Sequence, residues 1–333
     1  TQGPAVPRFE EAVAEYVGAE HAVAFSSGTA ALHGAAFAAG LGPGDRVVTS
    51  PLTFMASANC ARYVGATPEL VDIDRSTWNL DPAQIVSRPA AVVAVHYAGL
   101  PADLAAIESR TDRVIEDAAH ALGASTPDGM IGNGARSDLC CFSFHPVKPI
   151  TTAEGGMVTT NNPVLAERLR AFRSHGIRRT PGADGWVYEI AEVGFTYRLP
   201  DLQAALGLSQ LARIEEFIER RNALADRYRM LLDGLSLTLP PAPAPGFRHG
   251  YHLFPVVVPD RRRVYRALHD DGIRVQVHYV PVHHHPVSHD IELPAGGLPV
   301  CDEVYAGLLS LPLHPGMSEA DQDRVVRSLR RVV

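Results

Sequence analysis

No apolar run in these 333 residues approaches the length of a membrane span, and no signal-peptide pattern opens the chain, so no membrane partner is expected. There is no excess of positive charge either. Thirty lysines and arginines face 37 aspartates and glutamates, leaving a net charge of −7 and a pI near 6.1, without the electrostatic footprint of a nucleic-acid binder. Cysteine is scarce: Cys60, Cys140, Cys141 and Cys301 lack the CxxC spacing of a zinc or redox site. The adjacent Cys140 and Cys141, in a strand-like run, read as small buried hydrophobes, and a reducing cytoplasm is the expected setting. No Walker loop, GxGxxG fingerprint or internal repeat is present. The chain begins at Thr1 with no initiator methionine, so an N-terminal piece is expected to be missing.

What is present is an alternation of strand and helix signals. Short apolar runs ("HAVAF", "RVVTS", "PELVDID", "AAVVAVHY", "RVIEDA", "DLCCFSF") are separated by helical patterns such as "GTAALHGAAFAAG" and "TFMASANCARYVG". Alternation of this kind predicts a mainly parallel sheet covered by helices on both faces, with ligands collecting at the carboxyl ends of the strands. Residues 202–235 read as strongly helical. The proline-rich "LPPAPAPGFRHG" then reads as a linker, followed by a strand at "YHLFPVVV", a helix at "RRRVYRALHDDG" and a strand at "VQVHYVP". A last helix starts at a Ser318–Asp321 capping box. The chain therefore divides into a large α/β domain, 1–235, and a smaller α+β domain, 236–333.

Four stretches could carry chemistry. In "FSSGTAALHGAA", Ser26, Ser27, Gly28 and Thr29 stand between a strand and an alanine-rich helix, which suits either an anion site or a plain helix cap. Glu116 and Asp117 end a buried strand, with His120 following; an acid there meets a cationic ligand atom or caps the next helix. Phe54 is a stacking platform or a core aromatic. Lys148 lies among Ser143, His145, Thr151, Thr152 and the pair Gly155–Gly156; a lysine held out of water there becomes a nucleophile able to form a Schiff base. Anion cradle, strand-end acid, aromatic and lysine are together the parts that hold pyridoxal 5'-phosphate (PLP).

In that order, "SSGTAAL", "TFMASAN", "IEDAAHALGA", "SFHPVKPITTAEGGMVTT", "RSHGI" and "VGFTYRLPDLQAALGLSQL" resemble the DegT/StrS family of PLP-dependent nucleotide-sugar aminotransferases, over essentially the whole chain. The resemblance implies the type I PLP-transferase fold with a seven-stranded-type mixed sheet, cycling of the cofactor between PLP and its amino form PMP, and a homodimer with shared active sites. It also implies L-glutamate as donor, leaving as 2-oxoglutarate. By it, Lys148 is the Schiff-base lysine and Asp117 the partner of the pyridine nitrogen. His120 lies near the phenolic oxygen, Phe54 stacks, and Gly28, Thr29 and Ser143 contact the phosphate. Lys148 also separates this chain from the related sugar dehydratases, which carry histidine there.

Two positions depart from the family pattern. Thr196 in "GFTYR" replaces the frequent asparagine that reaches the neighbouring subunit's cofactor phosphate; its hydroxyl can make a similar hydrogen bond. Ala153 replaces a frequent glycine. "RVQVHYVPVHHHPV" followed by "LSLPLHPGMSEAD" looks most like enzymes that aminate C4 of UDP-linked 4-keto-6-deoxy-N-acetylhexosamines, as in the pseudaminic acid pathway, with His278 and Tyr279 on the substrate side. Relatives acting on dTDP- or GDP-keto-sugars or cyclitol ketones, and PLP-binding regulators without turnover, are the alternatives. No metal is expected. On an extended segment His283, His284 and His285 would alternate between faces, and the run reads as a polar loop near the substrate.

Overall fold

The computed structural model describes residues 2–179, 182, 184 and 186–333. Helix α1 (Ala5–Val17) buries the stripe Val6, Phe9, Val13 and Val17, and leads into β1 (His21–Phe25). Then come α2 (Gly28–Ala38), β2 (Arg46–Thr49), α3 (Ala56–Tyr63), β3 (Thr67–Leu70), β4 (Ala91–Val95), α4 (Leu104–Glu108) and β5 (Val114–Asp117). A small hairpin, β6 (Ser125–Thr126) and β7 (Gly129–Met130), precedes β8 (Leu139–Ser143), β9 (Gly156–Thr160) and α5 (Pro163–Phe172).

These strands form one seven-stranded sheet in the order β1-β9-β8-β5-β4-β2-β3. All pairings from β3 to β8 are parallel, and β9 alone runs antiparallel, against both β8 and β1. The expected mainly parallel, mixed sheet is therefore present. Successive residues alternate between its faces. Cys140, Phe142, Val92 and Ala94 pack with α1 on one side, while Cys141, Val93 and Ile115 pack with α2 and α5 on the other. All four cysteines are buried and free, as small core residues. Because β1, β2, β4, β5 and β8 point the same way, the loops after them emerge along one edge of the sheet.

A second hairpin, β10 (Ile177–Arg179) with β11 (Tyr188–Ile190), is followed by α6 (Asp201–Leu211) and α7 (Ile214–Leu232). The helical run expected at 202–235 is thus two helices, parted at Ala212–Arg213. Beyond them, β12 (Phe254–Val257) pairs antiparallel with β13 (Leu308–Leu311). Helices α8 (Arg261–Asp270), α9 (Pro299–Gly307) and α10 (Glu319–Arg330) complete the chain. The capping box is formed: Ser318 and Asp321 satisfy each other's backbone N–H groups. A separate apolar cluster joins Leu224, Tyr228, Phe254, Val264, Leu309 and Val326. The strand expected at "VQVHYVP" is absent. Its apolar alternation is real, but the only pairing there is a single bridge of Gln276 with Ser310, and the chain then turns toward the sheet edge.

Candidate active site

A cavity of about 940 Å³ opens at the carboxyl edge of the sheet. Gly28, Thr29, Phe54, Asp117, His120, Ser143, Lys148, His278 and Tyr279 all line it. Helix α2 begins there, its Ser27 hydroxyl accepting from the Ala30 N–H, so that free N–H groups of the first turn face the cavity. Gly28 sits directly against β8: a Cβ on it would lie 2.8 Å from the Ser143 Cβ. Gly156 is equally constrained, since a Cβ there would meet the Ser27 carbonyl oxygen at 2.4 Å. These two glycines let the start of α2, the end of β8 and the start of β9 meet, forming an anion cradle of Gly28, Thr29 and Ser143.

Lys148 projects from the loop between β8 and β9, which is closed by bonds from Phe144 N to Gly155 O (2.9 Å) and Lys148 N to His145 O (2.9 Å). It is the only lysine in the sequence, against 29 arginines. Loss of hydration lowers its amine pKa to about 8, opposed only in part by the negative charge of Asp117. The Asp117 carboxylate is buried at the end of β5, beside Cys141 of β8. Ser57 Oγ donates to its Oδ2 (2.6 Å) and the Ala119 N–H to its Oδ1 (3.1 Å), so both oxygens are held. Ser57, a buried hydroxyl in an alanine-rich helix, was not found from the sequence. It lies in the first turn of α3, and nothing in the local sequence marks it as a partner of Asp117.

Three histidines face this lysine. His120 Nε2 bonds the Tyr279 hydroxyl (3.0 Å), and its Nδ1 is buried with no partner. Burial, then the Lys148 charge, holds its pKa well below the usual value. His252, also missed from the sequence, packs against His120 with ring centroids 4.4 Å apart. His278 is kept neutral, at about 4, for the same two reasons. Its Nδ1 meets Ser310 Oγ (3.0 Å), and its carbonyl accepts from the Tyr97 hydroxyl. Phe54 is 59% exposed, with its ring 5.8 Å from that of Tyr279, so it is a surface platform rather than a core aromatic.

Thr196 lies outside the cavity of its own chain, where its hydroxyl bonds His175 Nε2 (3.0 Å). One expectation is corrected. The His283–His285 run is neither an extended segment nor at the cavity: Val282–His284 is a 3₁₀ turn, in which His283 Nε2 hydrogen-bonds Asp302 Oδ1 and His284 Nε2 lies 2.9 Å from the same oxygen.

The residues fit PLP. The cradle is anionophilic and closed to any Cβ, the carboxylate is buried and doubly bonded, and the unpaired His120 nitrogen awaits a polar group. A single lysine of lowered pKa beside them, on this sheet edge, defines a PLP-dependent transferase of the type I fold.

Comparison with known proteins narrows the class. Residues 1–330 match the DegT/DnrJ/EryC1/StrS aminotransferase family. The chain is 38% identical to the spore coat polysaccharide biosynthesis protein SpsC of Bacillus subtilis over 354 residues, covering 100% of this chain and 90% of that protein. Among solved structures, the putative sugar aminotransferase Spr1654 of Streptococcus pneumoniae in its PMP form superposes with a TM-score of 0.93 at 26% identity, covering 100% and 92% of the two chains. Its PLP form is also known. PseC of Helicobacter pylori, an aminotransferase involved in the biosynthesis of pseudoaminic acid, gives a TM-score of 0.90 at 29% identity over 100% and 92%. This protein belongs to the DegT/DnrJ/EryC1/StrS family of PLP-dependent sugar aminotransferases.

Proposed function

We propose that the protein transfers the amino group of L-glutamate to the keto group of a nucleotide-linked deoxy-sugar, at C4 of a UDP-4-keto-6-deoxy-N-acetylhexosamine. The observation that carries this reading is the placement of the sole lysine, with its lowered pKa, in one cavity with Asp117 and the Gly28–Ser143 cradle. When bound, PLP supplies an electron sink for the donor's α-carbon and carries the amino group between the two substrates.

The chain's own residues do the rest. Gly28, Thr29 and Ser143 hold the phosphate at the positive end of α2. Asp117, oriented by the Ser57 hydroxyl and the Ala119 N–H, would face the ring nitrogen and hold a proton there. Phe54 would cover the ring, and His120 would stand near the phenolic oxygen. The Lys148 amine, titrating at about 8, takes a proton from the donor's α-carbon and returns one to the sugar carbon as general acid–base. His278 and Tyr279 line the sugar side.

The C4 and UDP assignments rest on the family resemblance of the "RVQVHYVPVHHHPV" and "LSLPLHPGMSEAD" segments, and the likeness to PseC, an aminotransferase involved in the biosynthesis of pseudoaminic acid, accords with the pathway type. Two copies share each site in this reading, with Thr196 reaching toward the neighbour's phosphate. Its place outside its own chain's cavity suits that role, as do the exposed Phe54 and Val147 at the cavity wall. A reducing cytoplasm, where four free cysteines persist, is the setting. The test starts from enzyme converted to its amino form by glutamate, offered UDP-, dTDP- and GDP-linked keto-sugars in turn. Return of the PLP absorbance is expected fastest with the UDP-4-keto-N-acetylhexosamine. Preference for a dTDP- or GDP-sugar would move the assignment, and no response to glutamate would end it.

A further inference from the structure

The 3₁₀ turn Val282–His284 brings two adjacent imidazoles onto one carboxylate of α9. His283 Nε2 and His284 Nε2 each lie 2.9 Å from Asp302 Oδ1, and the three ligand atoms are all within 4.8 Å of one another. Both partners are fixed from behind. The Val282 N–H donates to the Pro51 carbonyl (2.9 Å). The first turn of α9 is pinned where Val300 N (2.8 Å) and Cys301 N (2.9 Å) donate to the Asp72 carboxylate. The other nitrogen of His283, Nδ1, is buried without a partner, so that ring's polar engagement runs through Nε2 alone.

We infer that His283, His284 and Asp302 form a divalent transition-metal site suited to Zn²⁺. Two imidazoles and a carboxylate are a familiar zinc donor set, with bonds of about 2.0–2.2 Å. Tetrahedral angles between such bonds separate the donors by roughly 3.4 Å, so the 2.9 Å contacts need to open by only a few tenths of an ångström. The side chains of His284 (36% exposed) and Asp302 (48% exposed) leave one side open, where water completes the coordination. The site lies outside the cavity, and its role is structural. It clips the base of the 285–298 segment to α9, just after the stretch that carries His278 and Tyr279 into the cavity.

The test uses tag-free, PLP-loaded enzyme, stripped with a chelator and titrated with ZnCl₂ by calorimetry. One Zn²⁺ per chain is expected. H284A and D302N, which alter partly exposed side chains, are each expected to weaken binding by at least about tenfold. H289A changes a histidine of the same segment outside the cluster and is expected to keep the affinity. Absence of stoichiometric uptake, or uptake that H284A and D302N leave unchanged, overturns the site. PLP absorbance recorded on every variant shows that each is folded.

Discussion

Lys148 is the residue on which the chemistry turns, and its pKa sets a pH dependence. A lysine held at about 8 loses its reactive neutral form as pH falls below that value, by roughly tenfold per unit. Uptake of PLP by the apoprotein, followed by stopped-flow absorbance, is therefore expected to speed up about tenfold per pH unit up to 8 and then level off. A rate flat between pH 6 and 8 would place the amine in a different environment. At this scale the sequence was most legible where residue type and chemistry coincide: lysine, strand-end aspartate, hydroxyls and glycine at a helix start. Ser57 and His252 stayed hidden because their roles depend on partners 60 and 132 positions away in the chain, Asp117 and His120 respectively. Neither stands in a local pattern that marks it.

The elements explain why the site forms where it does. Parallel crossovers bring five strand ends to one edge, and two glycines allow α2 to seat on β8 and β9. Gly28→Ala puts a Cβ into Ser143 and is expected to cost about 1–3 kcal/mol, felt in the cradle. Its Kd for PLP, measured by fluorescence titration, is expected to rise by roughly tenfold or more; an unchanged Kd would remove the cradle from phosphate binding. Strand–helix alternation was readable because buried parallel strands are continuous apolar runs. Strand β9 was not read as a separate element. Its "GMVTT" returns antiparallel through the lysine loop, without the helix that announces a parallel crossover. The false strand at "VQVHYVP" shows the converse, since alternation without a neighbouring strand to pair leaves one bridge. The histidine run was misjudged for a local reason: a 3₁₀ turn rotates successive side chains through far less than the half-turn of a strand.

For the whole molecule, the division near residue 235 remains our proposal. A second core around Phe254 supports two units, though it also takes in Leu224, Tyr228 and Leu232 from before that boundary. Two features bind the parts together: α7 contributes Ile218 to the first core and Leu232 to the second, and another cluster joins Leu52 and Tyr97 to Leu253 and Val282. The proposed dimer predicts a solution mass near twice the 35.8 kDa of the chain by light scattering. A monomer that turns over at full rate would contradict shared sites.

The central claim is that Lys148 alone bonds the cofactor, and the composition makes its test unusually clean. Holoenzyme reduced with borohydride and digested is expected to carry the PLP mass on one peptide, the one containing Lys148, with none on any peptide of K148R. A reduced adduct that survives in K148R, or a holoenzyme from which all PLP washes out after reduction, would contradict the account.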